Sequence, residues 1–319
     1  MNKILRIGTR DSQLAVWQAT LVQQLLQQKG FASELVHMKS DGDIDLVTPL
    51  YEIGVQGVFT KTLDAALLSS KIDIAVHSMK DVPTQLAKGI VQSAVLPRAS
   101  YRDILVLNEE KLKVKGERSI LEIINSPSGD GGFLIATSSI RRRSQWLNRY
   151  PNHQIENLRG NVNTRLRKVN ESNWSGAIFA AAGVERINLR PENSIELDWM
   201  LPAPAQGAIM IVCREEDADA KNICALLNDE ATALCTKIER DFLRTLLGGC
   251  STPISALAEL KGDNISFRGN IFSLDGKEKV EIEISLPVSD SKELGISAAK
   301  ELLNKGADKI VESIRNAVK

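Results

Sequence analysis

The stretch from residue 72 to residue 83, with the sequence IDIAVHSMKDVP, constrains the fold more than any other part of the chain. Ile72, Ile74 and Val76 alternate with other residues, which predicts a short buried strand. Polar residues follow at once, and Lys80 and Asp81 stand side by side among them. Because open α/β sheets bind ligands at the carboxyl ends of their strands, the stretch predicts such a sheet with a site at this end.

Two interpretations of the Lys80–Asp81 pair are open from these residues alone. An adjacent lysine and aspartate can form a solvated ion pair in a loop, and such pairs are common and contribute little to stability. In the functional alternative, Asp81 lies at the mouth of a cleft and the neighbouring cation keeps its carboxylate ionised. The remainder of the chain has to favour one of the two.

Composition and charge exclude several classes of function. The 319 residues carry a formal net charge of zero and only 4% aromatic side chains, which argues against a nucleic-acid partner. The N-terminus is too short and too charged for a signal peptide, and no apolar run is long enough to cross a membrane. The four cysteines form no CxxC pair and the three histidines form no ligand pattern, so a cytoplasmic protein without a bound metal is predicted.

A recurring order of strand, turn and helix predicts the architecture. It begins with a strand at residues 4–7, the turn GTRDS and a helix, and it recurs between residues 133 and 186. The predicted fold class is α/β, with two doubly wound lobes around a hinged cleft and a small α+β third domain. The expected boundaries are residues 1–98 with 203–227 for the first lobe, 99–202 for the second lobe, and 228–319 for the third domain.

Arginines follow three successive strands of the second lobe, within TSSIRRR, LRGNVNTR and AAGVER. Arg141 and Arg142 lie in the first turn of a predicted helix, capped by Thr137 or Ser138, where a cation opposes the helix dipole. A bound anion would offset that cost. Because guanidinium groups match carboxylates and phosphates, we predict a ligand with several anionic groups. DNA is the competing ligand, but the zero net charge and the lack of a DNA-reading module weaken it.

The turn GTRDS offers a second anion site, in the first lobe. Arg10 adds a cation to the predicted turn, and Asp11 or Ser12 can cap the helix that follows, so free backbone N–H groups and a cation meet there. An ordinary connection between a strand and a helix explains the same residues and is the more common case.

In combination, these motifs resemble the porphobilinogen deaminase (hydroxymethylbilane synthase) family. The chain carries, in order, GTRDS, AVHSMKDVP, TSSIRRR, LRGNVNTRL, AAGVERI, PAQGA and GGCSTPI. The resemblance implies that the first two domains are alike. It also implies a transferase of tetrapyrrole and haem biosynthesis that deaminates four porphobilinogen molecules, joins them head-to-tail on a covalent dipyrromethane cofactor and releases hydroxymethylbilane. The family further implies a monomer.

The resemblance assigns roles to individual residues. Asp81 matches the catalytic aspartate, and Cys250, which follows two glycines, matches the cysteine that holds the dipyrromethane through a thioether. The matching cofactor-binding residues, besides Cys250, are Lys80, Asp81, Ser139, Arg141, Arg142, Arg159 and Arg165. The matching substrate-binding residues are Arg10, Ser12, Arg98, Arg159, Arg186 and Gln206.

One departure and one alternative accompany the resemblance. Many family members carry two lysines where this chain has Glu52 and Gln56, so we assign no contact to those positions. The alternative function is a two-lobed binding protein for a carboxylated metabolite, without chemistry. Cys250 separates the two hypotheses, because a binding protein needs no covalent tether.

Overall fold

The computed structural model describes residues 4–39, 60–108, 133–246 and 252–317. Within these ranges the chain forms two sheets of five strands and one sheet of three strands. The predicted features at Glu52, Gln56 and Cys250 lie outside the described residues. No helix in the described ranges is long and apolar enough to span a membrane.

The first sheet forms around the strand that precedes the Lys80–Asp81 pair. Its strands are β1 (Leu5–Arg10), β2 (Ser33–Met38), β3 (Ile74–Ser78), β4 (Ile90–Val95) and β10 (Ile209–Arg214). The spatial order is β2-β1-β3-β10-β4; β1 is parallel to β2 and β3, whereas β10 is antiparallel to β3 and β4. Its helices are α1 (Gln13–Gln28), α2 (Lys61–Leu68) and α6 (Ala218–Ala225). Ala19, Val22 and Leu26 recur at helical spacing in α1 and are fully buried against this sheet.

The second sheet repeats this pattern. Its strands are β5 (Asp103–Leu107), β6 (Leu134–Ala136), β7 (Gln154–Glu156), β8 (Gly176–Ala180) and β9 (Ser194–Glu196). In the order β7-β6-β8-β5-β9, β6 is parallel to β7 and β8, and β5 is antiparallel to β8 and β9. Its helices are α3 (Ile140–Arg149), α4 (Val162–Glu171) and α5 (Ala181–Glu185). The prediction of two similar, largely parallel lobes is confirmed, with one antiparallel strand in each sheet.

Two crossing segments, residues 96–102 and 201–208, connect these sheets. Each leads into the antiparallel strand of the sheet that it enters, β5 after the first segment and β10 after the second. The segments are joined by a hydrogen bond of 3.1 Å from the Ala99 N–H to the carbonyl of Gly207. Gly207 has a φ of +90°, and a Cβ there would lie 2.7 Å from the carbonyl oxygens of Ala99 and Ser100. A glycine is therefore needed for this close approach.

The third unit is a small α+β structure, as predicted. Strands β11 (Ile254–Lys261), β12 (Asn264–Phe272) and β13 (Lys279–Pro287) form an antiparallel sheet in that order. Its helices are α7 (Glu230–Leu246), α8 (Leu294–Leu302) and α9 (Asp308–Ala317). Phe242 of α7 meets Phe267 of β12 edge-on, with ring centroids 5.2 Å apart, at the centre of this core.

Exchange of Gly207 for alanine tests the close approach of the crossing segments. The added methyl group would meet two backbone oxygens, besides the strain of a positive φ, which alone costs about 1–2 kcal/mol. Gly30→Ala is a matched control, since Gly30 has a φ of +86° but no atom within 4 Å of an added Cβ. We expect Gly207→Ala to lower the thermal unfolding midpoint more than Gly30→Ala does. Equal losses would contradict the close approach.

Candidate active site

The Lys80–Asp81 pair lies in a tight turn directly after β3. Residues Met79–Asp81 form a single 3-10 turn, and the N–H of Val82 donates to the carbonyl of Met79 at 3.2 Å. Met79 and Val82 are buried in the core of the first lobe, whereas Asp81 is exposed and Lys80 is partly buried. Buried neighbours on both sides therefore fix the turn while Asp81 stays accessible at the carboxyl end of the strand, as predicted.

The buried carboxylate of Asp103 accepts hydrogen bonds from several polar side chains of the site. Asp103 is the first residue of β5 and is fully buried. Its Oδ2 accepts from Arg141 Nη2 at 2.7 Å, and its Oδ1 accepts from Arg142 Nη2 at 2.7 Å. The same Oδ1 accepts from Gln206 Nε2 at 2.9 Å. Three predicted site residues therefore meet on one carboxylate.

Sequence reasoning missed Asp103. Burial alone would raise the pKa of Asp103, but Arg141 and Arg142 outweigh that effect and hold the pKa well below its usual range. The signal that could have revealed it is an aspartate directly before the apolar run ILVL, at the start of a buried strand. The sequence predicted a bound anion beside Arg141 and Arg142, and the carboxylate of Asp103 supplies part of that negative charge from within the protein.

Helix α3 is capped by Ser139, whose Oγ accepts from the N–H of Arg142 at 3.5 Å. The prediction of Thr137 or Ser138 as the cap was therefore wrong. Thr137 Oγ1 accepts from the N–H of Ser139 at 3.2 Å, and Ser138 Oγ donates to the carbonyl of Leu158 at 2.8 Å. Three consecutive hydroxyl groups thus order the loop that leads into the arginine-bearing turn.

Arg141 and Arg142 are almost completely buried, with 5% and 6% of their surface exposed. Each donates to a carbonyl besides Asp103: Arg141 Nη1 to Leu201 at 2.8 Å, and Arg142 Nη1 to Ile178 at 2.9 Å. The Nε of Arg141 is buried and has no hydrogen-bond partner among the described residues. A donor for a further acceptor is therefore present at this point of the site.

Gln206 joins the turn of the first lobe to the buried carboxylate of the second. Its Oε1 accepts from Lys80 Nζ at 3.1 Å, and its Nε2 donates to Asp103 and, at 2.7 Å, to the carbonyl of Tyr101. Gln206 is fully buried. Its amide group therefore connects parts of the protein rather than facing a ligand, although the resemblance assigned it to substrate binding.

Lys80 is not the solvated loop lysine of the first interpretation. Desolvation lowers the pKa of Lys80 to about 8; Asp81 and Asp103 oppose this effect, whereas Arg142 and Arg141 add to it. The charges of both lobes therefore act on one ammonium group.

Arg159 and Arg165 extend the cluster of cations. Arg159 is buried in the loop after β7, and Arg165 of α4 donates from Nε to the carbonyl of Gly160 at 2.7 Å. Burial lowers the pKa of Arg165 to about 10; Arg142 and Arg159 act in the same direction, and Asp81 opposes them. Several cations therefore act on Arg165 at close range, and carboxylates of a ligand would relieve the repulsion between these positive charges.

The prediction that residues 8–12 form a turn was wrong in its extent: Gly8, Thr9 and Arg10 continue β1 because they pair with β2, and only Asp11 and Ser12 lie between β1 and α1. Ser12 is the cap of α1, and its Oγ accepts from the N–H of Ala15 at 3.4 Å. Arg10 is the last residue of β1. The structure thus places Arg10 and Ser12, two of the predicted substrate-binding residues, at one helix N-terminus.

The other two predicted substrate-binding arginines contact the crossing segments. Arg186 Nη2 donates to the carbonyl of Gly207 at 2.6 Å, and its guanidinium lies 5.8 Å from the ring centroid of Trp17. Arg98 forms a bidentate ion pair with the buried Glu239, at 2.6 and 3.1 Å. The guanidinium of Arg98 links the first crossing segment to α7, so we leave Arg98 out of the proposed binding site.

Comparison with known proteins decides the family. A sequence model described as porphobilinogen deaminase, dipyromethane cofactor binding domain, matches residues 5–222, and one described as porphobilinogen deaminase, C-terminal domain, matches residues 233–304. The chain belongs to the porphobilinogen deaminase family. It is 40% identical to the porphobilinogen deaminase of Chlorobium phaeobacteroides over 99% of both chains. It is 39% identical to that of Syntrophotalea carbinolica, over 97% of this chain and 96% of the relative.

These matches confirm the predicted family, its enzyme class and its dipyrromethane cofactor. Among solved structures, the BvgS VFT2 domain of Bordetella pertussis is 13% identical, covers 70% of this chain and 85% of that domain, and gives a TM-score of 0.41. A similarity of that size carries no argument about this protein.

The described residues fit a dipyrromethane, whose rings carry acetate and propionate groups. The cleft offers mutually repelling cations and the buried Nε of Arg141, which has no hydrogen-bond partner among the described residues. Guanidinium and ammonium groups are the usual partners of carboxylates. Cys250, the predicted point of attachment, lies outside the described residues.

Asp103→Asn tests whether this carboxylate holds the arginines in place. The exchange leaves two buried guanidinium groups without their counter-ion, and breaking a buried pair in this way costs about 3–5 kcal/mol. The control Glu171→Gln removes the exposed pair with Arg167, for which we expect a loss of less than about 1 kcal/mol. Denaturant titration of both variants measures the difference. A stability of Asp103→Asn equal to that of the control would contradict a structural role for Asp103.

Proposed function

We propose that this chain deaminates porphobilinogen and joins four molecules of it head-to-tail on a dipyrromethane attached to Cys250, releasing hydroxymethylbilane. The observation that carries the proposal is the group of cations that both lobes bring together: besides the larger effect of burial, Arg142 and Arg141 lower the pKa of Lys80, and Arg142 and Arg159 lower the pKa of Arg165. A growing pyrrole chain presents an acetate and a propionate on each ring. A cleft with excess positive charge suits such a ligand.

The proposed binding residues divide into two groups. When bound, the dipyrromethane supplies the ring to which the first substrate is joined and keeps the growing chain on the enzyme. Its carboxylates would be held by Lys80, Ser139, Arg141, Arg142, Arg159 and Arg165. The incoming substrate would be bound by Arg10, Ser12, Arg159 and Arg186. Gln206 and Arg98 are left out because their polar groups already join parts of the protein.

Asp81 is the proposed catalytic residue. Loss of ammonia from porphobilinogen leaves a planar ring with positive charge, and a fixed carboxylate close to the ring nitrogen stabilises that charge as it develops. Asp81 suits this role because it is exposed on a turn fixed by buried neighbours.

The remaining expectations are also proposals. We propose that the protein acts as a monomer in the cytoplasm on a small-molecule substrate, without nucleic acid or membrane. The zero net charge supports the absence of a polyanionic partner.

Intact-protein mass spectrometry separates this function from that of a metabolite-binding protein. We expect the purified protein to be heavier than its sequence mass by one dipyrromethane, and Cys250→Ala to have the mass of its sequence alone. We also expect the purified protein to consume porphobilinogen. An unmodified mass, together with no consumption after preincubation with porphobilinogen, would refute the proposal.

Asp81→Asn tests the proposed catalytic role, since it keeps the shape of the side chain and removes its charge. We expect turnover to fall by at least about 100-fold, the usual loss when a group that stabilises developing charge is removed. The mass and the thermal midpoint should not change, because Asp81 is exposed. Asp219→Asn, another exposed carboxylate, serves as the control. Normal turnover of Asp81→Asn would remove this residue from the mechanism.

The lowered pKa of Lys80 predicts a pH dependence of ligand binding. A carboxylate ligand binds protonated Lys80 better, so affinity should fall as the pH rises through about 8, by at most about tenfold per pH unit. Calorimetry with porphobilinogen and the Cys250→Ala protein, between pH 7 and 9.5, measures this. Adding Lys80→Met should flatten the fall, whereas adding Lys88→Met, at an exposed lysine, should leave it unchanged. An identical profile with Lys80→Met would argue against a role for Lys80.

A further inference from the structure

Arg240, on helix α7 of the third unit, binds the backbone of the turn that carries Asp81. Its Nη1 donates to the carbonyls of Met79 at 3.3 Å and Val82 at 2.9 Å, and its Nη2 donates to the carbonyl of Pro83 at 2.6 Å. A single guanidinium group thus donates to three carbonyls within the five residues 79–83. Its planar array of donors is suited to such a contact.

These carbonyls lie on both sides of Asp81 in the chain. Within the turn, the N–H of Val82 donates to the carbonyl of Met79 at 3.2 Å, and the N–H of Met79 donates to the carbonyl of Ala208 at 3.0 Å. The side chain of Asp81 is exposed, so surrounding side chains do not enclose its carboxylate. The position of that carboxylate therefore depends on its backbone, which is held by the burial of Met79 and Val82 and by the three hydrogen bonds from Arg240.

We propose that Arg240 is a positioning residue for the reaction: it fixes the Asp81 turn and ties it to the unit that carries Cys250. The inference rests on the proposed function of Asp81. Arg240 acts through Asp81, since the atoms that it binds are backbone oxygens of the turn.

The residue before Arg240 makes a second connection from the same helix. Glu239 Oε1 accepts from Arg98 and, at 2.8 Å, from the N–H of Ala258 in β11. Its Oε2 accepts from Arg98 and, at 2.6 Å, from the N–H of Ala205. Glu239 thus binds both crossing segments and the third sheet.

Two adjacent residues of helix α7 therefore bind other parts of the protein: Glu239 binds the crossing segments, and Arg240 binds the turn that carries Asp81. The helix ends at Leu246, four residues before Cys250 in the sequence. Arg240, which binds the turn of the charge-stabilising Asp81, belongs to the same helix, so this turn is attached to the element that precedes the proposed tether in the sequence. Such an arrangement keeps Asp81 in a fixed relation to the unit that holds the tether.

Arg240→Gln tests the proposal against a control on the same helix. Arg244→Gln removes an exposed arginine one turn further on, whose partner is Asp241 of its own helix. We expect Arg240→Gln to keep the mass of the loaded enzyme and its KM but to lose about 100-fold in kcat, the size of effect expected from misplacing a catalytic group by about 1 Å. Arg244→Gln should behave as the unmodified protein.

Two further readouts separate positioning from general stability. Arg240→Lys should recover part of the lost kcat, because an ammonium group can donate to these carbonyls but lacks the planar fork. In hydrogen-exchange mass spectrometry, peptides that cover residues 77–86 should exchange faster in Arg240→Gln and not in Arg244→Gln. If Arg240→Gln fails to fold, Arg240→Lys carries the test, with a reduced kcat and faster exchange expected.

A double variant shows whether Arg240 acts through Asp81. In an Asp81→Glu background, where the carboxylate is already displaced, Arg240→Gln should lower kcat by much less than it does alone. Full kcat of Arg240→Gln, or losses that multiply in the double variant, would overturn the inference while leaving Asp81 catalytic. Normal turnover of Asp81→Asn would instead refute the proposed function itself, and this inference with it.

Discussion

The carboxylate of Asp103 is the interaction on which the arrangement of the cleft depends. Two consecutive arginines at a helix N-terminus repel one another and oppose the helix dipole, and burial adds the cost of desolvation. Asp103 supplies both Arg141 and Arg142 with a counter-ion, and through Gln206 it also connects to Lys80 of the other lobe. Asp103 thereby holds Arg141, Arg142 and Lys80 close together although their positive charges repel one another. Because a single carboxylate does not neutralise three cations, positive charge remains for a ligand to bind.

The protein uses the same guanidinium chemistry for two different purposes. Arg98 and Arg240 join the third unit to the rest of the chain, since one pairs with Glu239 and the other binds the carbonyls of the Asp81 turn. Arg141 and Arg165 lie in the positively charged cleft instead, where burial and, to a smaller extent, neighbouring cations lower their pKa. Which purpose an arginine serves depends on its partners in space, and residue type alone does not reveal it.

The sequence predicted features that depend on neighbouring residues, but it did not predict contacts between residues that are far apart along the chain. Hydrophobic periodicity and capping residues indicate strands, turns and helices, and these patterns predicted both lobes and the position of the Asp81 turn after a strand. The ion pair between Arg98 and Glu239 joins residues 141 positions apart, so no local sequence pattern could predict it. Asp103 was missed for the same reason, since its partners lie 38 and 39 positions away. The cap of α3 was misplaced because three hydroxyl residues in a row are equally good candidates until the backbone conformation is known.

The route of the chain also sets an order of assembly during synthesis. All five strands of the second sheet are contiguous in the sequence, whereas the first sheet needs β10, which is buried along its whole length between β3 and β4. As the chain leaves the ribosome, the second lobe can complete its sheet while the first still lacks an inner strand. The sheet of the lobe that begins the chain and bears Asp81 is therefore completed only after that of its neighbour, when residue 214 has emerged.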